Sequence, residues 1–235
     1  MNDIFGQALL DYQNGNYSED ILTETNISEE DVLPLPYLFR GFSEMPPIET
    51  KALELVKGKT LDIACGTGSH TLYLQEKGFD VTAIDTSKGA IEVCKLRGVH
   101  NAIQSDLLEL KDEKFDTILL LVNGTGIFQK IEFIEKYLHH LKSLLNPKGQ
   151  ILIDSSDLRY MYDEGEKEGS IMVPSGNYYG ELEFIMKYKN QSSEPFNWLY
   201  LDENIFDTAA SNCNLNFNVI ERGENFDYLA KLTVI

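Results

Sequence analysis

Residues 61–70, with the sequence LDIACGTGSH, combine a carboxylate, two glycines and a histidine at the end of a short apolar run. Gly66 and Gly68 favour a sharp strand-to-helix turn that lets a ligand approach the backbone closely. A helix beginning near Ser69 would offer free backbone N–H groups to a carboxylate or a phosphate. Asp62, inside the strand, would repel a pyrophosphate and attract an ammonium or sulfonium group. The stretch therefore predicts a site for a ligand with a cationic end.

A second carboxylate, Asp85, ends the next predicted strand, 17 residues after Gly68. There it can accept hydrogen bonds from both hydroxyls of a ribose. The dinucleotide fingerprint requires a third glycine, and Thr71 occupies that position. Residues 58–60 (Gly-Lys-Thr) precede the strand and lack the earlier glycine of a Walker A loop. The implied ligand has a ribose and a zwitterionic, cationic end, and S-adenosylmethionine fits this description.

Short apolar runs alternate with amphipathic segments through the middle of the chain. The strand candidates are TLDIAC (60–65), DVTAID (80–85), NAIQSD (101–106), FDTILLLV (115–122) and QILIDSS (150–156). Strands separated by helical segments indicate βαβ units, and hence a parallel sheet with helices on both faces. The last two runs are apolar nearly throughout, as in strands that are buried on both faces. The pattern predicts an α/β protein.

After residue 157 the pattern changes to one typical of antiparallel strands. Two strands, a helix and a closing hairpin are predicted at residues 178–190, 195–201, 202–214 and around Arg222–Asn225. We expect residues 1–55 to form an N-terminal helical cover, since this region is too short for a core of its own. Residues 56–235 would form the main domain, with a β-hairpin insertion around 158–201.

The central part of the chain resembles the class I S-adenosylmethionine-dependent methyltransferases, of the small-molecule type found in bacteria. LDIACGTG matches their first motif, VTAID the acidic end of the second strand, AIQSDLLEL the adenine-side motif and FDTILLLVNG the fourth strand. The resemblance is specific for fold and cofactor and weak for the substrate. It implies a Rossmann-like, seven-stranded, mostly parallel sheet that ends in a C-terminal antiparallel hairpin.

The resemblance also implies which residues bind S-adenosylmethionine at its ribose and amino-acid end. Asp62 would approach the methionine amino group, and Gly66 and Gly68 would shape the wall beside it. Asp85 would bind the ribose hydroxyls.

At the adenine end and at the mouth of the site, the resemblance implies four further residues. Asp106 would accept a hydrogen bond from the adenine amino group, and the backbone of Leu107 would meet the ring. Asn123 and Gly124 would line the methionine tail and the entrance for the substrate.

Two positions depart from the family's pattern, and two more have alternative roles. Ala64 stands where many members have another glycine, which is tolerable if the backbone there keeps ordinary strand angles. Thr86 follows Asp85, where a larger apolar residue often covers the adenine. His70 could face the cofactor or serve the end of its helix. Arg40 could pair with the cofactor carboxylate, with an anionic substrate or with nearby acids.

The catalytic residue is left open by the chemistry itself. Methyl transfer from a sulfonium is an in-line displacement with an activated leaving group, so alignment and exclusion of water matter most. A general base is needed only if the nucleophile arrives protonated. Candidates are Asp154 and Asp157, which follow the fifth strand, and Tyr160, which could wall a pocket. A magnesium-dependent catechol-type enzyme would want another acid near Asn123, so we expect no metal.

The composition restricts the partners. Asp and Glu number 38 against 20 Lys and Arg, giving a formal net charge of −18, and nucleic acid would be repelled without a local basic stripe. The three isolated cysteines fit neither a disulfide framework nor a CxxC site. No apolar run reaches the roughly 18 residues of a membrane span, and the first residues lack the pattern of a secretory signal. We expect a cytoplasmic monomer or homodimer without nucleic-acid or membrane partners.

These observations predict an enzyme that transfers a methyl group from S-adenosylmethionine to a small molecule. One alternative is a methyltransferase that modifies protein or RNA. Another is a non-catalytic module that binds S-adenosylmethionine but has no cavity reaching the methyl group.

Overall fold

A computed structural model describes residues 3–162, 171–173 and 177–235, and these contain twelve strands and seven α-helices. The strands are β1 (Ile21–Thr25), β2 (Asp31–Leu33), β3 (Thr60–Ile63), β4 (Val81–Asp85), β5 (Ala102–Gln104), β6 (Phe115–Leu120), β7 (Leu145–Ser156), β8 (Glu181–Tyr188), β9 (Gln191–Ser192), β10 (Phe196–Leu199), β11 (Leu215–Arg222) and β12 (Asp227–Val234). The α-helices are α1 (Ile4–Gln13), α2 (Leu35–Leu38), α3 (Pro47–Glu54), α4 (Ser69–Glu76), α5 (Lys88–Leu96), α6 (Ile134–Ser143) and α7 (Glu203–Asn212).

Seven strands form the main sheet, in the order β11-β12-β7-β6-β3-β4-β5. Pairing is parallel from β5 across to β7. Strand β12 lies antiparallel between β7 and β11. The predicted Rossmann-like sheet with a C-terminal antiparallel hairpin is therefore confirmed. The chain reverses its direction of travel across the sheet between β3 and β6, and ligands of such sheets bind beyond the carboxyl ends of the strands at this point.

The apolar run of β6 is explained by burial on both faces of the sheet. Ile118 and Leu120 pack in a cluster that includes residues of α6 and α7. Leu119 and Leu121 point the other way, into a cluster that includes residues of α3. Because successive side chains of a strand alternate between faces, both sets are removed from water, and each such side chain contributes roughly 1.5–3 kcal/mol. This burial fixes the position of β6 in the sheet.

A second, antiparallel sheet has the order β10-β8-β1-β2, with β9 also paired to β8. The prediction of two antiparallel strands in the insertion is confirmed by the pairing of β8 with β10. The N-terminal cover predicted for residues 1–55 contains helices α1, α2 and α3, but it also contains a hairpin of β1 and β2 that was not predicted. Its backbone groups are satisfied by β8, which lies more than a hundred residues away in the sequence. The predicted domain boundaries remain predictions, and residues 163–170 and 174–176 of the insertion lie outside the described residues.

Helix α1 joins the second sheet to the main domain. Ile4, Ala8 and Leu9 share a buried cluster with Tyr188 of β8 and Val93 of α5. The N-terminal region therefore packs on both parts of the chain. Among the helices of the described segments, none combines the length and apolarity needed to cross a bilayer.

Candidate functional site

The turn between β3 and α4 has a backbone that glycine allows. Gly66 and Gly68 have φ angles of 53° and 77°, in the left-handed region. A Cβ atom on Gly68 would lie 2.8 Å from Cγ2 of Val99 and 3.0 Å from Sγ of Cys94, so no side chain fits there. The turn therefore packs closely against α5, and the absence of side chains at the two glycines allows close approach to its backbone.

Ala64 also adopts the left-handed region, with a φ of 54°. The condition under which alanine would be tolerable here, ordinary strand angles, is not met, because the chain already turns at Ala64, one residue after β3 ends. A left-handed conformation costs an L-residue roughly 1–2 kcal/mol. The exposed side chain of Ala64 gains no packing in return.

Replacing Ala64 with glycine should raise the free energy of unfolding by about 0.5–1 kcal/mol, the relief of strain less the added entropy of an unfolded glycine. Chemical denaturation measures the change. The matched control is Ala209→Gly inside α7, which should lower the free energy of unfolding by about 0.5–1 kcal/mol. An Ala64→Gly protein no more stable than the parent would contradict the strain.

Asp62 lies inside the main sheet, with only 1% of its surface exposed. Its Oδ2 atom accepts a hydrogen bond of 2.6 Å from Oγ1 of Thr71. Thr71 thus stands where a dinucleotide site has its third glycine and holds the carboxylate instead. Burial raises the pKa of Asp62 above its ordinary value, although nearby His70 acts to lower it. A carboxylate in such a place gains from a cationic partner.

Asp85 ends β4 beside the glycine turn. Its Oδ2 atom accepts a hydrogen bond of 2.9 Å from the Gly66 N–H, and its Oδ1 atom accepts one of 2.8 Å from the Ser87 N–H. Burial raises the pKa of Asp85. Two carboxylate oxygens offer about four acceptor positions, so each retains one for a ligand hydroxyl. Thr86, the next residue, is exposed, and its carbonyl accepts from Nε2 of Gln104 at 3.1 Å.

The turn after β5 is stabilised by the side chain of Asp106. Oδ1 of Asp106 accepts a hydrogen bond of 2.7 Å from the Leu108 N–H and so caps the short 3₁₀ helix that follows. Leu107 is buried, and its carbonyl accepts a hydrogen bond of 2.8 Å from Nε2 of His140. The exposed Asp106 keeps its second oxygen for other partners, and its predicted contact with adenine remains a prediction.

Three charged or titratable side chains form a buried chain between the N-terminal region and α4. Arg40 pairs with Oε1 of Glu49 in α3, and Oε2 of Glu49 lies 2.7 Å from Nε2 of His70. All three are buried, with Glu49 only 3% exposed. The histidine and the guanidinium overcome the effect of burial and hold the pKa of Glu49 below its ordinary value. Of the alternatives for Arg40, a bond to a nearby acid is therefore present.

Arg40 nevertheless keeps one unused donor. Its Nη1 atom donates to the Tyr37 carbonyl at 2.5 Å, and its guanidinium lies 3.8 Å from the centre of the Tyr37 ring. Its Nε atom is buried without a hydrogen-bond partner, the only such side-chain atom in the described part of the chain. A buried donor left unpaired costs free energy, so an acceptor supplied by a ligand would be favoured here.

The segment Leu35–Arg40 lies directly against the glycine turn. The Leu38 carbonyl accepts hydrogen bonds from Oγ1 of Thr67 at 2.5 Å and from Oγ of Ser69 at 3.2 Å. The Arg97 guanidinium links the two by donating to the Thr67 and Phe39 carbonyls at 2.7 and 3.4 Å. The N-terminal region thus supplies one wall of the site.

The ends of β6 and β7 are joined by Asp154. Its two oxygens accept hydrogen bonds from the N–H groups of Val122, Asn123 and Gly124, at 3.1, 3.0 and 2.8 Å. Burial raises the pKa of Asp154 to about 6, although the backbone donors act to lower it. Oδ1 of Asn123 also accepts a hydrogen bond of 2.9 Å from Oγ of Ser156.

The other two catalytic candidates have different surroundings. Oδ1 of Asp157 accepts hydrogen bonds from the Arg159 N–H at 2.9 Å and from the Tyr179 hydroxyl at 2.8 Å. Tyr160 is 54% exposed and stacks on Phe226 with their ring centres 5.0 Å apart. Asp157 therefore holds local structure, whereas Tyr160 presents an aromatic surface to solvent.

The structure brings most of the predicted site residues to one edge of the sheet. Asp62, Asp85 and Asp154 belong to β3, β4 and β7, which run parallel with β6 between β3 and β7, so the carboxyl ends of these strands share one edge. Thr86 and Asp106 follow β4 and β5 at the same edge, because these strands run parallel to β3. The described residues contain no group of three or more His, Cys, Asp or Glu side chains placed to hold a metal ion.

Sequence reasoning missed Glu49 and Arg97. Each acts through partners distant in the chain, so no local motif marks it. The one signal in the sequence was Arg40, because a cation that becomes buried requires an acidic partner, here Glu49.

Comparisons with known proteins agree with this geometry. Residues 61–153 match the family described as "Methyltransferase domain". The crystal structure of an S-adenosylmethionine-dependent methyltransferase from Bacteroides fragilis, in complex with S-adenosyl-L-homocysteine, is 40% identical in sequence and has a TM-score of 0.91. The match covers 99% of this chain and 94% of that one.

Curated relatives match over a shorter region. The glycine/sarcosine N-methyltransferase of Aphanothece halophytica is 30% identical over 141 residues, which is 54% of this chain and 51% of that protein. The ubiquinone biosynthesis O-methyltransferase of Rickettsia felis is 30% identical over 108 residues, which is 43% of each. The chain thus spans about half the length of these relatives or less.

Proposed function

Because the chain belongs to the S-adenosylmethionine-dependent methyltransferases, we propose that it transfers the methyl group of this cofactor to a small-molecule acceptor. The observation that carries the proposal is Asp85, which ends β4 beside the glycine turn with both oxygens oriented by backbone N–H groups. A carboxylate held in this way is prepared to accept hydrogen bonds from the two hydroxyls of a ribose.

The remaining residues fit the other parts of the cofactor. Asp62, a buried carboxylate with one oxygen bonded to Thr71, suits the methionine amino group. The unpaired Nε of Arg40 suits the methionine carboxylate. Asp106 and Leu107 suit the adenine. His70 supports the wall of the tail site by its bond to Glu49.

The bound cofactor supplies a methyl group on a sulfonium, which is already an activated leaving group. The protein has to align the acceptor and keep water out. Both oxygens of Asp154 and Oδ1 of Asp157 are engaged by groups of the protein itself. We therefore assign neither of them to proton transfer, and place Tyr160 on the acceptor side.

A small acceptor is favoured by the surface beyond the strand ends. Tyr160 and Phe226 form an exposed stack there, and Val122 is 41% exposed beside the end of β6. Exposed apolar surface next to a polar site is typical of a ligand-binding wall. The formal net charge of −18 disfavours RNA. The three cysteines are free thiols, which fits the reducing conditions of the cytoplasm.

A labelling experiment tests the proposal against its alternatives. The protein is incubated with methyl-labelled S-adenosylmethionine and with a cell extract divided by ultrafiltration. Label that appears in the small-molecule fraction only in the presence of the protein supports the proposal. Label in protein or RNA would assign a macromolecular acceptor, and cofactor binding without any transfer would leave a non-catalytic binding module.

Replacing Arg40 with lysine tests the binding of the methionine carboxylate. Lysine keeps the positive charge beside Glu49 but lacks an Nε donor at this position. Affinity for S-adenosylhomocysteine should fall about tenfold, while affinity for 5′-methylthioadenosine, which lacks the amino-acid tail, should change by less than about threefold. Calorimetry with both ligands measures the two effects. Equal losses for both ligands would refute a direct contact with the tail.

A further inference from the structure

Asp154 was a candidate for catalysis, but its carboxylate faces the protein's own backbone. It is 8% exposed and accepts hydrogen bonds from three successive N–H groups, those of Val122, Asn123 and Gly124. These three residues lie one residue beyond the end of β6, at the point where the strand order of the sheet reverses. The carboxylate of one strand end thus shapes the turn that leaves its neighbour.

The backbone of this turn is strained. Val122 and Asn123 have φ angles of 69° and 57°, and such angles are unusual for a β-branched residue. A Cβ atom on Gly124 would lie 2.6 Å from Cβ of Leu120. No residue larger than glycine therefore fits at this position. Strained backbone persists only where the surrounding structure holds it, and it concentrates at functional sites.

We propose that Asp154 is a positioning residue, whose carboxylate holds the backbone of Val122–Gly124 in the shape that receives the methionine tail of the cofactor. The inference rests on the proposed function, which places this tail beside Asn123 and Gly124. Only an ionised carboxylate can accept from all three N–H groups. An amide or a protonated acid turns a donor toward one of them and opens the turn.

Asp154 faces other titratable groups. The Glu49 carboxylate of α3 raises the pKa of Asp154, and His70 of α4 lowers it. Both effects are smaller than that of burial, which places the pKa at about 6. As the pH falls through about 6, Asp154 becomes protonated. The turn should then open, and the affinity for the methionine tail should fall.

The test is calorimetry with the variant Asp154→Asn, using S-adenosylhomocysteine and 5′-methylthioadenosine near pH 8. We expect at least about a tenfold loss of affinity for the first ligand and less than about a threefold change for the second. The control is Asp116→Asn. Asp116 accepts hydrogen bonds from the Lys59 N–H and from Asn146 at the opposite edge of the sheet, and its replacement should leave the ratio of the two affinities unchanged.

A pH series separates positioning from simple support of the fold. In the parent protein, the affinity for S-adenosylhomocysteine relative to 5′-methylthioadenosine should fall as the pH decreases through about 6. In Asp154→Asn the ratio should be flat over the same range. If the ratio still changes with pH in the variant, the change arises from His70 or Glu49, and the proposal is overturned.

The outcomes distinguish this inference from the proposed function. If the parent protein binds neither ligand, the proposed function fails. If the parent binds both and Asp154→Asn binds S-adenosylhomocysteine equally well, or loses both ligands to the same extent, the positioning role is refuted and the proposed function stands.

Discussion

Replacing Asp85 with alanine should reduce the affinity for S-adenosylhomocysteine by more than about tenfold, the equivalent of roughly 1.4 kcal/mol. Hydrogen bonds to a charged group contribute roughly 1.5–3 kcal/mol, and the ribose would lose two of them. The N–H groups of Gly66 and Ser87 would also lose the acceptor that orients the glycine turn. Both effects act in the same direction.

Calorimetry with two ligands makes this prediction specific. Because 5′-methylthioadenosine shares the ribose, its affinity should fall together with that of S-adenosylhomocysteine, unlike the pattern expected for Arg40 and Asp154. The control is Asp80→Ala, since Asp80 is exposed at the opposite end of the same strand, and both affinities should remain unchanged. An Asp85→Ala protein that binds as well as the parent would show that the ribose lies elsewhere.

Replacing Glu49 with alanine should lower the free energy of unfolding by about 3–5 kcal/mol. The change leaves Arg40 as a buried cation without its counterion and removes the partner of His70. Glu49 is 3% exposed, so water cannot easily replace the lost carboxylate. Thermal and chemical denaturation measure the effect.

The control for Glu49 lies in the same helix. Glu54, the last residue of α3, is exposed, and Glu54→Ala should change the free energy of unfolding by less than about 0.5 kcal/mol. Because the pKa of Glu49 is lowered in the folded state, its stabilising contribution is present above the ordinary carboxylate pKa and is lost as the pH falls below it. Similar stability of the two variants would show that the buried ion pair contributes nothing net.

Much of the fold could be predicted because its determinants are local. The apolar run of β6 reflects burial on both faces, and the glycines at 66 and 68 mark the turn where their φ angles require them. The β1–β2 hairpin could not be predicted in the same way. Its residues are polar, and its position depends on pairing with β8, which only the folded chain brings close.

The candidate site shows the same division. Asp62 lies within the apolar run that leads into the glycine turn and Asp85 ends the next run, so the sequence predicts both positions. The role of Glu49 depends on its contacts with the buried Arg40 and His70. No local sequence pattern around Glu49 predicts these contacts. The left-handed angle of Ala64 could not be predicted either, because an alanine rarely adopts it.

Strand β8 of the second sheet and the segment Leu35–Arg40 beside the glycine turn are connected through β1. Strand β1 is hydrogen-bonded along its length to β8 of the insertion, and the Leu35 N–H that begins the wall of the turn donates to Asp20 at 2.8 Å, directly before β1. A displacement of β8 would therefore also displace β1 and the segment Leu35–Arg40. Replacing β8 with a strand of different sequence would therefore require compensating changes within the first forty residues.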